Sequence, residues 1–257
     1  MIFGLSFLKL ALLGVAIFLA GFIDSIAGGG GVISLPAYLL TGLPAQTAFA
    51  CNKTSACMGS SVACIRYMRS GKVNWPAAAA SAITAIIGAG LASRIVLVLD
   101  AGIFKKLIVC VLPFVAIFLI FKRDFGSGAE KEETSVKRIV LVSLLIGLII
   151  GFYDGLIGPG TGTFAILAFS QFLKMDLKKA GGTAKIFNWA SNLSSMVSFL
   201  FAGRIIWGLA LITAACNMAG NYVGAGMAIK NDPKFIRGML SVVCTLLLLK
   251  LGYDVFV

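Results

Sequence analysis

Lys53 and Lys185 are the residues of this chain best placed to do chemistry. Each sits among small and apolar residues: 48–65 holds no other charge, and 186–203 holds none at all. A charged group at bilayer depth costs about 2.5–3.5 kcal/mol on insertion scales, so it needs a partner or a task there. Two such cations facing one cavity would neutralise an anion. The other readings are that each snorkels to an interface or pairs with a nearby carboxylate. Asn52, Thr54, Ser55, Ser60 and Ser61 accompany Lys53, and Asn188, Ser191, Asn192, Ser194 and Ser195 follow Lys185. Asn188 and Asn192 are four apart and share a helix face, with Lys185 on that face three residues before Asn188. A cation with neutral donors around it suits a tetrahedral or pyramidal oxyanion, which accepts many hydrogen bonds. Interhelical hydrogen bonding, about 0.6 kcal/mol each in lipid, is the bland alternative.

Two glycine clusters come next: Gly28-Gly29-Gly30-Gly31 and Gly158-Pro159-Gly160-Thr161-Gly162. Glycine lets a helix unwind, so that backbone N–H groups and the positive end of the following segment can point into a cavity. Tight helix packing is the competing reading. Gly29, Gly30 and Gly160 are the candidate backbone donors. Asp24 and Asp154, just before the clusters, are candidates for ion coupling, for partners of the lysines, or for caps of the broken segment.

These groups recur in one order. Gly21-Phe22-Ile23-Asp24 returns as Gly151-Phe152-Tyr153-Asp154, and further on Lys53 answers to Lys185, Trp75 to Trp207, Gly88 to Gly220 and Asp100 to Asp232. Duplicated halves with broken helices are the usual build of a secondary transporter. The chain has 257 residues, 59% hydrophobic and only 12% charged, with a mean hydropathy of +1.00. A soluble domain carries about 25% charged residues, so the expected solvent is a bilayer. Charge-free windows at 10–23, 25–52, 73–93, 155–173 and 205–229 fit about eight membrane segments, four per half.

The expected organisation is a first transmembrane repeat over 1–121, a polar linker over 122–138 and a second repeat over 139–257. In each half a small-residue helix carries the lysine, and a turn and a tryptophan open the next helix. Pro76 suits a first turn, and Pro113 should kink the helix near 103–121. If each half makes four full crossings, one side collects Lys9, Arg66, Arg69, Lys72, the linker, Arg204 and Lys250, which favours both termini in the cytoplasm. If a glycine-flanked segment is re-entrant, crossings per half become odd and the repeats are inverted. Trp75 and Trp207 read as interfacial anchors, and Asp100 and Asp232 as surface caps.

The net charge of +12 sits mainly between apolar runs, as topology charges, with no basic stripe for nucleic acid. The six cysteines form no CxxC pair and histidine is absent. That removes imidazole chemistry and predicts no disulfide framework, metal site or cofactor. Support for an enzyme is correspondingly thin.

Together the Asp and glycine run of 21–31, Gly42-Leu43-Pro44 with Asn52-Lys53 downstream, Lys185-Ile186-Phe187-Asn188 with Ser191-Asn192, and the run ending at Trp207 resemble the TauE/SafE family of sulfite-exporter-like membrane proteins. The resemblance covers essentially the whole chain. It implies a multi-pass transporter of the bacterial cytoplasmic (inner) membrane, moving sulfite, sulfonates or related anions, often outward. The reading is an all-α transporter of a small oxyanion working by alternating access, with a passive channel as the alternative. Lys53 and Lys185 would neutralise the anion and Asn52, Asn188 and Asn192 orient it. Its partners are the anion and the bilayer, with a homodimer left open.

Overall fold

The computed structural model describes residues 5–100, 102–104, 106–107, 135–232, 234–236 and 238–239. The fold is all-α. Eight helices are described in full: α1 Phe7–Ala27, α2 Gly31–Leu39, α3 Ala45–Arg69, α4 Trp75–Val98, α5 Val136–Leu156, α6 Thr161–Phe172, α7 Leu177–Phe201 and α8 Trp207–Lys230. Their lengths repeat, long, short, long, long, in the same order on either side of the expected linker. The helix α5 reaches back into that linker, because Ser135 caps it by accepting from the Arg138 N–H. Pro113 and most of the expected helix near 103–121 lie outside the described residues.

Among the described residues three helices, α1, α4 and α5, are long and apolar enough to cross a membrane on length and composition. Leu8, Leu12, Val15 and Leu19 of α1, Ile83, Ile87 and Leu91 of α4, and Leu141, Leu145 and Ile149 of α5 are exposed. The apolar side chains face outward and the small and polar ones inward, as a lipid solvent demands. By contrast α3 and α7 are the inner helices. Gln46, Asn52, Lys53, Thr54, Ser55 and Ser60 of α3 are all buried, which is why hydropathy alone does not mark α3.

Contacts fix the direction of each helix. Gly30 at the start of α2 backs onto Ala20 and Asp24 near the end of α1, while Leu40 and Thr41 beyond its other end share a groove with Lys9 and Leu12. The helix α2 therefore turns back along α1. The same holds for α6 on α5, with Phe164 edge-on to Tyr153 and Phe172 beside Ile149. Next, α3 runs parallel to α1, so that the Tyr67 hydroxyl near its end donates to Ser25 O. Then α4 returns, and Gln46 at the start of α3 donates to Val96 O and Leu99 O at the end of α4.

The heaviest packing joins the two halves. Gly147, Gly151 and Gly155 of α5 lie against Ser81, Ala85 and Ala89 of α4 in rising order, so α4 and α5 are parallel. Likewise Gly220 and Gly224 of α8 lie against Phe18 and Phe22 of α1. A side chain at these glycines would strike backbone, so small residues set the approach. Since α5 is parallel to α4 and α8 to α1, the series α1–α4 and α5–α8 begin at opposite faces of the molecule.

That geometry corrects the expected division of surface charge. Arg66 donates to Tyr222 O and Lys178 to Ile229 O. Arg66, Arg69, Lys72, Lys178, Lys179 and Lys230 therefore share one face, while Lys9 and Arg204 lie at the other. Four full crossings per half had put Lys9 and Arg204 with Lys72; the return of α2 and α6 moves them across. Trp75 and Trp207 are exposed at the starts of α4 and α8. Asp100 caps the following turn by accepting from the N–H groups of Gly102 and Ile103, and Asp232 accepts from Lys234 N–H.

Candidate functional site

The two lysines do not snorkel outward. Lys53 on α3 pairs with Asp154 on α5 at 2.8 Å, and Lys185 on α7 pairs with Asp24 on α1 at 2.6 Å. Each cation thus takes its carboxylate from the opposite half. A buried ammonium left alone would cost several kcal/mol, and a short charge-assisted pair offsets most of that. The two pairs differ in exposure. The side chains of Lys53 and Asp154 are 2% and 3% accessible, and that of Lys185 is 1%, but Asp24 keeps 17%. Asp154 also accepts from Ser191 Oγ at 2.6 Å.

The local reasons are legible in the backbone. The turn after α1 needs a left-handed residue, and Gly28 supplies it at φ 74°, its N–H closing on Asp24 O. Gly28 also meets Gly162 of the other half backbone to backbone, where any side chain would collide. Thr163 locks this junction: its N–H donates to Gly28 O and its hydroxyl to Ala27 O. The glycine clusters pack the halves closely, and they open the N-terminal ends of α2 and α6 onto the centre.

Between the broken helices lies a cavity of about 30 Å³, walled by Asp24, Gly28, Gly30, Gly31, Ser34, Asn52, Lys53, Asp154, Gly158, Thr161, Gly162, Asn188, Asn192 and Asn217. That is room for about one or two water molecules. A tetrahedral or pyramidal oxyanion would need the wall to part. Of the expected residues, Lys53, Asn52, Asn188, Asn192, Gly30, Asp24 and Asp154 line the cavity. Lys185 does not; it meets the cavity through Asp24. Gly29 and Gly160 are not in the wall, and Gly160 instead caps α6 in the left-handed region.

Asn52 is buried, and its Oδ1 meets no donor among the described residues. Asn192 Nδ2 donates to Asn188 Oδ1 at 3.0 Å, which holds that amide pair on one helix face. The sequence reading missed Asn217 on α8. Its signal was present: Asn217 and Asn221 stand four apart in an apolar helix, as Asn188 and Asn192 do, and Asn221 donates to Asn217 Oδ1 at 2.7 Å. Also missed was Tyr38 at the end of α2, whose buried hydroxyl lies 2.6 Å from Thr213 Oγ1 and 3.1 Å from Ser55 Oγ. It ties α2 to α3 and, across the halves, to α8. No group of three or more potential metal ligands gathers among the described residues.

The family profile described as sulfite exporter TauE/SafE matches residues 13–251. The chain belongs to the TauE/SafE family. Among its relatives, this TauE/SafE chain is 37% identical over 256 residues to the probable membrane transporter protein ORF9 of Sinorhizobium sp, covering 97% of this chain and 95% of that one. It is 34% identical over 245 residues to a probable membrane transporter protein of Haemophilus influenzae, covering 95% of each. With the probable membrane transporter protein YfcA of Escherichia coli K12 it shares 31% over 248 residues, 95% of this chain and 90% of that one. No solved structure matches it. Family and relatives agree on a membrane transporter, the apolar helices support a multi-pass one, and both are in line with a non-enzymatic role.

Proposed function

We propose that this TauE/SafE protein carries a small oxyanion, such as sulfite or a sulfonate, outward across the bacterial cytoplasmic membrane by alternating access. Residues 1–121 and 139–257 are the two repeats, joined by a linker over 122–138. The opposite starting faces of α1–α4 and α5–α8 support an inverted arrangement of these repeats. The observation that carries the reading is reciprocal pairing. Each half's lysine is held by the other half's carboxylate, beside one cavity bounded by two broken helices. Lys53 and Lys185 neutralise the anion. Asn52, Asn188, Asn192 and Asn217 orient it, and the starts of α2 and α6 add backbone donors. The cavity is too small for the anion as it stands, so binding requires the helices around it to part.

Flux of sulfite, thiosulfate, sulfate, sulfonates and carboxylates into proteoliposomes tests this. The expected result is saturable uptake of one anion class with counter-flow, lost in Lys53→Ala and in Lys185→Ala. Unchanged flux in both variants would overturn the site. Non-saturating flux without counter-flow would replace the carrier by a channel.

A further inference from the structure

The charges at the cavity cancel: two ammonium groups face two carboxylates. We propose that each anion bound here is accompanied by one proton taken up on Asp24, so that anion and proton cross together. The inference rests on the oxyanion reading above and adds what the anion travels with.

An entering anion has to take a lysine as its counter-ion. It can do so only by displacing the carboxylate already there. For a monoanion the site then holds two positive and three negative charges, in a space with room for about one or two waters. An unpaired buried charge costs several kcal/mol. A proton on the displaced carboxylate removes that cost, and the neutral carboxyl gains an O–H with which to donate to the anion.

The two carboxylates are unequal candidates. Asp154 is held twice, by Lys53 and by Ser191, with a side chain 3% accessible. Asp24 is held by Lys185, keeps 17% accessibility, and lines the cavity. It is also the residue whose Cβ abuts Gly30, at the turn where α2 leaves α1. Facing Asp24 are Lys185 on α7 and Lys53, Cys64 and Tyr67 on α3, with Asp154 of α5 in the same cavity wall. From α2, α6 and α8 the polar groups in that wall are Ser34, Thr161 and Asn217, which carry no charge. Once an anion claims Lys185, the other cation facing Asp24, Lys53, is already held by Asp154, and a proton is the smallest charge that can replace the lost partner.

Carrying one proton with one monoanion moves no net charge. Transport then ignores membrane voltage and follows the anion and pH gradients alone. Outward movement needs the product of anion and proton concentrations to be higher inside than outside.

Methanesulfonate is a suitable probe because, as the anion of a strong acid, it brings no proton of its own. Calorimetry of the detergent-purified full chain, in buffers of different ionisation enthalpy, counts protons taken up per anion bound. The measurement is made at a pH of about 6, above the range of an ordinary carboxylate. One proton per anion is expected for the wild type, and none in Asp24→Asn, whose amide copies the neutral carboxyl. Binding without proton uptake in the wild type overturns the proposal and leaves the oxyanion reading intact, as does uptake that requires sodium instead. One proton still taken up by Asp24→Asn overturns the assignment to Asp24. If that variant does not fold, the wild-type count decides the coupling. In proteoliposomes, one unit of pH difference should sustain about tenfold accumulation, equal to the 1.4 kcal/mol it stores, at any imposed voltage. If neither methanesulfonate nor any other oxyanion binds or moves, the oxyanion reading itself fails.

Discussion

Truncating Lys53 leaves Asp154 buried with, among the described residues, the Ser191 hydroxyl to answer it. Losing one member of a buried pair costs about 3–5 kcal/mol, whereas replacing both by apolar groups of similar volume is often neutral. Lys53→Ala should therefore lower the melting temperature of the purified protein more than the double variant Lys53→Met/Asp154→Leu does, although neither should transport. A double variant less stable than the single would show that the pair is not an isolated unit. Tyr38 is a separate case. Tyr38→Phe removes one phenolic O–H and leaves Thr213 and Ser55 short of a partner in a buried setting. The expected loss is about 1–3 kcal/mol in chemical denaturation, and faster hydrogen exchange in α2 than in α6 would show that the bond anchors the returning helix.

At the scale of elements, the two returning helices leave by equivalent turns built from different residues. Gly42 follows α2 at φ 87° and Lys174 follows α6 at φ 55°. A left-handed non-glycine residue costs about 1–2 kcal/mol. Lys174→Gly should recover about 1 kcal/mol of that after the entropy glycine adds to the unfolded chain, measured as a raised melting temperature. Gly28 marks the opposite extreme, with a left-handed backbone and Gly162 against its Cα. Gly28→Ala should cost more than the conformational term alone, because Thr163 and Gly162 cannot retreat without parting the halves.

For the molecule as a whole, the sidedness of charge gives a topology. Arg66, Arg69, Lys72, Lys178, Lys179 and Lys230 crowd one face, and positive residues are retained on the cytoplasmic side. That face should be cytoplasmic and the start of α1 should lie outside. Lys72 and Arg204 are both exposed, so single cysteines placed there in a cysteine-free background should react from opposite sides of the membrane. Arg204→Cys should be labelled by an impermeant maleimide on intact cells, and Lys72→Cys only after lysis. The reverse pattern would invert the assignment. Labelling of both from one side would refute the inverted order of the halves.

Composition and order settled the solvent, the all-α class, the duplicated motifs and the family, because each is a property of neighbouring residues or of a pattern in the chain. The glycine breaks and the two lysines stood out for the same reason: both are expensive in a lipid-facing helix. What each lysine touches is another matter. Its partner lies in the other half of the chain, and no local pattern chooses between a lipid interface, a near carboxylate and a distant one. The folded helices decided that Lys53 takes Asp154 and Lys185 takes Asp24. They also decided that α2 and α6 turn back, since the direction of a short helix depends on which side chains of α1 and α5 it can bury against. Asn217 entered the wall by the same route: one amide among the residues of α8 acquires a role only when α3 and α7 are brought beside it.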